Sequence, residues 1–233
     1  MRAGGAYGRR MRILAVDGAL ARASAAVWVD GRVLARAGVD GARGQPTLLP
    51  RLTQQVLREA GLEPHALDAV AAVVGPGGFT GLRAALALAQ GLALAIGRPA
   101  VGVTTGEALA AGVSPALRQA HPVWTAVDSR RGRVFLERFD PARDAALAAP
   151  ESLALEELPP LPPGVSPVLA GDAAALVRDA LAARGVEAIL SGHVLPDAAN
   201  VAAVAALRLD GRLPPLAALP LYVEPPAVRV PGQ

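Results

Sequence analysis

Short apolar runs closed by turn residues, with two long helical periods between them, organise the first hundred positions of the chain. Arg12 to Val16 is an apolar run ended by Asp17, the pattern of a strand buried on both faces. Ser24 to Val29 and Val33 to Ala37 follow as strands joined by Asp30-Gly31, a dipeptide suited to a two-residue hairpin turn. The period then changes: Leu48, Leu52, Val56 and Ala60 recur at helical spacing, with Leu49 and Leu57 beside them. Thr47 is placed to cap this helix, Pro50 falls in its first turn, and Gly61 ends it. Asp68 to Val74 predicts another buried strand, Gly81 to Ile96 a second helix closed by Gly97 and Pro99, and Ala100 to Val103 a further strand. The order strand, strand, strand, helix, strand, helix, strand predicts a mixed sheet with helices, not a dinucleotide-fold alternation.

The second half carries a weaker signal. Val123 to Val127 and Arg133 to Phe139 predict a hairpin around Asp128-Ser129-Arg130-Arg131-Gly132. Val168 to Ala170 reads as a strand, and Ala173 to Ala183 and Ala198 to Leu209 as helices, the last capped by Asp197. The proline-rich stretch Leu155 to Pro167 is a connection, and the tail from Pro214 is extended.

Between the strand ending at Val74 and the helix that follows stands Gly75-Pro76-Gly77-Gly78-Phe79-Thr80-Gly81-Leu82-Arg83. A glycine turn at a helix N-terminus leaves backbone N–H groups bare for an anion or for a closely packed backbone. Close packing is the favoured reading and anion binding the second. The chain has no lysine, which excludes a Walker A loop, and the glycines at 75, 77 and 81 miss the GxGxxG spacing. The helix after this loop is apolar on nearly every face, interrupted by Arg83 and Gln90, so it is expected in the centre of the molecule or in a subunit interface. Its apolar stretch Ala84 to Ile96 is broken by Gln90 and Gly91 and reads as too short to span a bilayer.

Composition narrows the chemistry. With 233 residues, the chain can bury about 70% or more of its unfolded surface. It is 52% hydrophobic but 3% aromatic, so Ala, Val and Leu do the packing. The 23 basic residues are all arginine, and the net charge is only +3, which permits nucleic-acid binding without indicating it. The clusters Arg9-Arg10-Arg12 and Arg130-Arg131-Arg133 read first as solvated surface, and the second is the candidate for direct nucleic-acid contact. There is no cysteine, hence no disulfide framework and no thiolate metal site. His65, His121 and His193 are scattered without HxxxH or HExxH spacing, so no metal site is expected. Asp17 is the best candidate for a cleft carboxylate, although bonding the turn backbone is its simpler role. Asp128 either closes its hairpin turn or faces a cleft. Glu107, after Thr104-Thr105-Gly106, either pairs with Arg83 or caps a short helix. Residues 1–10 lack an apolar core, so they are no signal peptide and are expected to be a disordered extension, with Met11 a possible natural start.

These motifs resemble the TsaB (YeaZ) family. The glycine loop is similar to that family's GPGSFTGLR, with Gly78 in place of serine. Met11 to Asp17, Gly91 to Gly97, Val101 to Leu109, Asp128 to Gly132 and Pro220 to Val223 with Pro225-Pro226 also fit. The resemblance implies an α/β fold of two lobes, of the actin/Hsp70/sugar-kinase (ASKHA) type with mixed sheets flanked by helices. An N-terminal lobe over 11–104, a smaller C-terminal lobe over 105–226 and a tail over 227–233 are expected.

It further implies a non-catalytic, cytoplasmic subunit that activates a TsaD-type catalytic paralogue, joined by a TsaE-type ATPase, with no membrane role. The complex would modify adenosine 37 in tRNAs reading codons that begin with A, from a threonylcarbamoyl adenylate made by TsaC-type enzymes. Contact with tRNA would come through the complex, and the chain alone could homodimerise. No cofactor is expected in the isolated chain, with ATP and magnesium only at the level of the complex. The interface is expected on Leu52, Val56, Arg83, Leu86, Gln90 and Ala93.

Three departures stand out: Gly18-Ala19 where the family has Thr-Ser, Gln45 where it commonly has His, and Glu224 where a basic residue is common. The rival reading is an autonomous ATP-dependent phosphotransferase or ATPase using Asp17 and Asp128 around magnesium.

Overall fold

Asp30 and Gly31 both take positive φ, 47° and 86°, so the chain folds straight back between a strand at Arg22–Val29 and one at Arg32–Asp40. The computed structural model describes residues 11–41, 43–141 and 145–224; the expected extension 1–10, Pro225, Pro226 and the tail 227–233 lie outside the described residues. Strands β1 (Arg12–Asp17), β2 (Arg22–Val29) and β3 (Arg32–Asp40) form an antiparallel meander. Helix α1 (Gln45–Glu59) then leads to β4 (Ala69–Gly75), α2 (Phe79–Ile96) and β5 (Ala100–Thr104). β4 and β5 join parallel to β1, giving the order β3-β2-β1-β4-β5.

α1 starts earlier than its apolar period suggests. Gly44, at φ 91°, precedes it without a side-chain cap, and Pro46 sits in the first turn, where its fixed φ suits a helix start. Thr47 is therefore inside the helix and does not cap it, and Pro50 is interior.

The remaining elements are α3 (Thr105–Gly112), α4 (Pro115–Ala120), β6 (Val123–Asp128), β7 (Val134–Phe139), β8 (Glu151–Leu153), β9 (Val168–Ala170), α5 (Ala174–Ala182), β10 (Ile189–Leu190) and α6 (Ala198–Leu209). The second sheet runs β10-β9-β6-β7-β8, with β7 antiparallel and β9 parallel to β6. Read from the other edge, β8-β7-β6-β9-β10 repeats the pattern of the first sheet.

The first sheet is the middle layer of three. Leu14, Val16, Val70 and Val74 pack on Leu49 and Val56 of α1 and Ala85, Leu86 and Ala89 of α2. Ile13, Ala15, Ala71 and Val73 face the other way, against Val201, Ala202 and Ala205 of α6. With both faces covered, its inner strands read as continuous apolar runs without alternation. The placement of α6 corrects the expected division, because the chain after 197 returns to the first lobe. The tail follows it: Ala217 bridges Val101, the Gly102 N–H donates to Leu216 O, and the Leu221 N–H donates to Val74 O.

Candidate functional site

The glycine loop meets the turn after β1 backbone to backbone. The Gly78 N–H donates to Ala19 O at 2.7 Å, and the Thr105 hydroxyl donates to Pro76 O at 2.6 Å. A Cβ at Gly81 would lie 2.0 Å from Gly18 O, and one at Gly77 would lie 2.4 Å from Ala19 O. Only glycine permits that approach. The carbonyl of Ala19 thus occupies the position at the α2 N-terminus that an anion would take. Replacement of the family's hydroxyl residues by Gly18-Ala19 belongs to this contact, since a Cβ at Gly18 would sit 2.8 Å from Gly81 O.

Asp17 is fully buried, its Oδ1 accepts the Ala19 N–H at 2.9 Å, and its Oδ2 has no partner among the described residues. Burial pushes its carboxyl up to about 7. It does not line the cleft between the lobes. That cleft, about 430 Å³, has Gly77 to Gly81 on one wall and Asp128, Arg130 and Asp172 on the other. Asp128 both closes its turn, accepting the Arg130 N–H at 2.8 Å, and faces the cleft. Arg130 bridges the acids, with Nη1 3.2 Å from Asp128 Oδ2 and Nη2 3.1 Å from Asp172 Oδ2. Asp172 also accepts the Asp128 N–H, and burial raises its pKa.

A magnesium nucleotide, which folds of this kind suggest, does not fit these residues. The loop N–H of Gly78 is spent on Ala19 O, Asp17 is sealed off, and the one guanidinium of Arg130 is already paired with both carboxylates that remain. The other arginines of the hairpin are engaged as well. Arg131 lies 3.7 Å from Glu224, and Arg133 donates to Ser152 and to Glu157.

The expected interface residues separate into two groups. Leu52, Val56, Leu86 and Ala93 are between 0% and 6% exposed and pack into the chain's own core, so they are not available to a partner. Leu52 and Val56 lie on the apolar stripe of an amphipathic α1, and that stripe meets the core; on α2, apolar on nearly every face, nothing in the sequence says which face meets the sheet. Arg83 and Gln90 lie on the outer face of α2 with Ala87, Gly91 and Leu94. Gln90 donates to Ala218 O of the tail, and Arg83 to the Tyr222 hydroxyl. By length and apolarity alone, the 18 residues of α2 could cross a membrane, contrary to the reading of the shorter run; in the fold its inner face is core.

One functional-looking cluster escaped sequence reading. Glu137 on β7 is 4% exposed, and the Thr104 hydroxyl lies 2.8 and 3.0 Å from its two oxygens. Glu107 completes a capping box with Thr104 and pairs with Arg208 of α6 at 2.8 Å, not with Arg83. Burial, with the charge of Glu107 added, pushes the Glu137 carboxyl up to about 8. A lone glutamate in a strand gives no sign of this. Gln45 donates to Leu20 O and Gly41 O, and Glu224 accepts from Ser152.

Two sheets of matching strand order, with helices on their faces and a cleft between them, define a two-lobed α/β protein of the actin/Hsp70/sugar-kinase class. Comparison with known proteins narrows this. The profile of the family described as TsaD, tRNA N6-adenosine threonylcarbamoyltransferase, matches residues 42–196. The chain is 39% identical over 131 residues to the tRNA threonylcarbamoyladenosine biosynthesis protein TsaB of Escherichia coli, covering 55% of each protein. It is 42% identical over 78 residues to the tRNA N6-adenosine threonylcarbamoyltransferase of Maricaulis maris, covering 33% of this chain and 21% of that protein. The matches thus span about half or less of these relatives. Among solved structures, YeaZ from Pseudomonas aeruginosa superposes with a TM-score of 0.75 at 25% identity, covering 91% of this chain and 99% of that one. The chain belongs to the TsaD family of tRNA N6-adenosine threonylcarbamoyltransferases, on its TsaB (YeaZ) side.

Proposed function

We propose that this chain is a non-catalytic subunit in threonylcarbamoylation of adenosine 37 of tRNAs that read A-starting codons. It acts in the cytoplasm by binding and activating a TsaD-type catalytic paralogue, with a TsaE-type ATPase as third component and tRNA engaged through the complex. The observation that carries this reading is the outer face of α2, where Leu94 is 85% exposed on a helix with a single charge. An apolar helix face left open on a protein whose cleft acids are already paired with its own arginine suits a subunit better than an enzyme. ATP and magnesium then act at the level of the complex, not in this chain.

The test is reconstitution with the organism's own TsaC-, TsaD- and TsaE-type proteins, with and without this chain, quantifying the modified nucleoside by mass spectrometry. Product is expected only with the chain present, and Leu94→Glu is expected to abolish it while the fold survives. A charge at Leu86 or Ala93 would break the core instead and test nothing about docking. Equal product without the chain would overturn the proposal; millimolar ATP bound by the isolated chain would favour the autonomous ATPase.

A further inference from the structure

A buried carboxyl with no cation of its own joins the two sheets. Glu137 sits within β7 of the second lobe, 4% exposed, and its side chain reaches Thr104, the last residue of β5 in the first. The Thr104 hydroxyl lies 2.8 and 3.0 Å from the two carboxyl oxygens and also accepts the Glu107 N–H at 3.0 Å. Room for the carboxyl comes from Gly106, where a Cβ would overlap Glu137 Oε2 and stand 2.6 Å from the Thr125 hydroxyl. The neighbouring hydroxyl, of Thr105, donates to Pro76 O in the glycine loop. Two adjacent threonines thus tie the second sheet, through Glu137, to the loop that opens α2.

The charges around Glu137 come from two helices. Glu107 of α3 is a second acid at the same threonine, with Oε2 accepting the Thr104 N–H, and Arg208 of α6 lies 2.8 and 3.0 Å from the Glu107 oxygens. β6 brings only the Thr125 hydroxyl, which donates to the Glu137 backbone O. Arg138, the next residue of β7, points to the opposite face and pairs with Glu151 of β8. One guanidinium therefore stands beside two acids, and its Nε and Nη1 are buried without a partner among the described residues. A neutral Glu137 fits this place, because its carboxyl can share a hydrogen with Thr104. An ionised one faces Glu107 across a single threonine in a buried site, where like charges repel far more strongly than at a surface. The spare N–H groups of Arg208 could then receive it, but neither now touches it, so β7 would have to leave Thr104 to reach them.

We propose that Glu137 is a proton-operated latch between the lobes: protonated, it holds β7 to the start of α3, and on ionising it lets go of Thr104, so that the second lobe swings away and the glycine loop loosens. Burial, with the charge of Glu107 added, places the release at about pH 8. The latch does not depend on what binds α2.

Because the chain has no cysteine, two spin labels can be attached without background, through Gln54→Cys on α1 and Ala175→Cys on α5, both exposed positions. Pulsed electron resonance then follows the distance between the lobes from about pH 6 to about pH 9.5. The otherwise wild-type chain is expected to show one separation at the acid end and a second, longer one with a midpoint near 8. The ratio of the two should change by up to about tenfold per pH unit, as a single proton requires. Glu137→Gln, which cannot ionise, is expected to keep the short separation throughout, and Thr104→Val to show the long one already at the acid end. Thr104→Ser keeps the hydroxyl and is expected to follow the wild type, and thermal unfolding checks that each variant is folded. Asp17→Asn removes the other acid held neutral and is expected to leave the transition in place. A separation that ignores pH overturns the latch, and so does a transition that survives in Glu137→Gln. A transition that disappears in Asp17→Asn assigns it to the first lobe's acid and overturns the latch as well.

Discussion

Asp17 closes β1 of the first lobe and Asp128 closes β6 of the second, and each accepts a backbone N–H from two residues on, Ala19 or Arg130. The neighbouring parallel strands match too: β4 ends in Gly75 at φ 118°, and β9 is followed at once by Gly171 at φ 106°. From that common backbone the lobes diverge. Gly18-Ala19 lets the first turn sink against the glycine loop, which buries Asp17 completely and raises its pKa to about 7. Ser129-Arg130 keeps the second turn at the surface and supplies a cation for Asp128 and Asp172. Two side chains at equivalent positions thus decide whether an acid is buried in packing or paired with a cation at a cleft.

The sharpest way to break the comparison is to remove the close approach itself. Gly81→Ala is expected to lose about 3 kcal/mol or more in chemical denaturation, since its Cβ has backbone 2.0 Å away and no flexible neighbour to move. Gly171→Ala should behave alike in the second lobe, where the added Cβ would meet Ala126 O at 2.1 Å in a left-handed backbone. A loss below about 1 kcal/mol at either site would show that the loop is looser than described.

Acidity comes next. Asp17 titrates near 7 folded against 3.8 unfolded, and Glu137 near 8 against 4.5. In both, the folded protein keeps a proton that the unfolded chain releases, so stability is full below the unfolded values. It then falls as pH rises, by about 1.4 kcal/mol per pH unit for each group, and levels off above the folded values. Denaturation midpoints between pH 5 and 8 should drop accordingly. Asp17→Asn and Glu137→Gln should each remove one share of that slope, and a slope unchanged in both variants would mean that neither acid is held neutral. The smallest effect belongs to the second lobe: Arg130 is largely exposed, so Arg130→Ala should shift stability by about 1 kcal/mol or less in the same denaturation assay.

Much of the first lobe was legible because its turns are chemically explicit. Asp30-Gly31 set the hairpin, and the glycine loop announced a close contact without naming what it touched. Thr104 and Glu107 advertised a cap. The face of α2 was illegible, because periodicity reports a helix's apolar side only when the other side is polar; α1 has a polar outer side, and its apolar stripe at Leu52 and Val56 is core, not a partner's seat. The start of α1 was misread because Thr47 looked like a cap while Pro46 held the stronger geometric claim. Glu137 left no trace, since its burial depends on Thr104 and Gly106 meeting it from elsewhere in the chain. The return of α6 to the first sheet was equally silent: alanines and valines at helical spacing fit either lobe.

The tail's passage over β5 bears on how the protein behaves when handled. β5 is the outer strand of the first sheet, and an outer strand with free N–H and C=O groups invites pairing with other molecules. Leu216 takes the Gly102 N–H, and a Cβ at Gly102 would lie 2.4 Å from Ala217 O, so the tail seals that border at close range. A chain cut back to Leu213 would keep its helices and sheets but expose a ready template for aggregation, and it should precipitate before it unfolds.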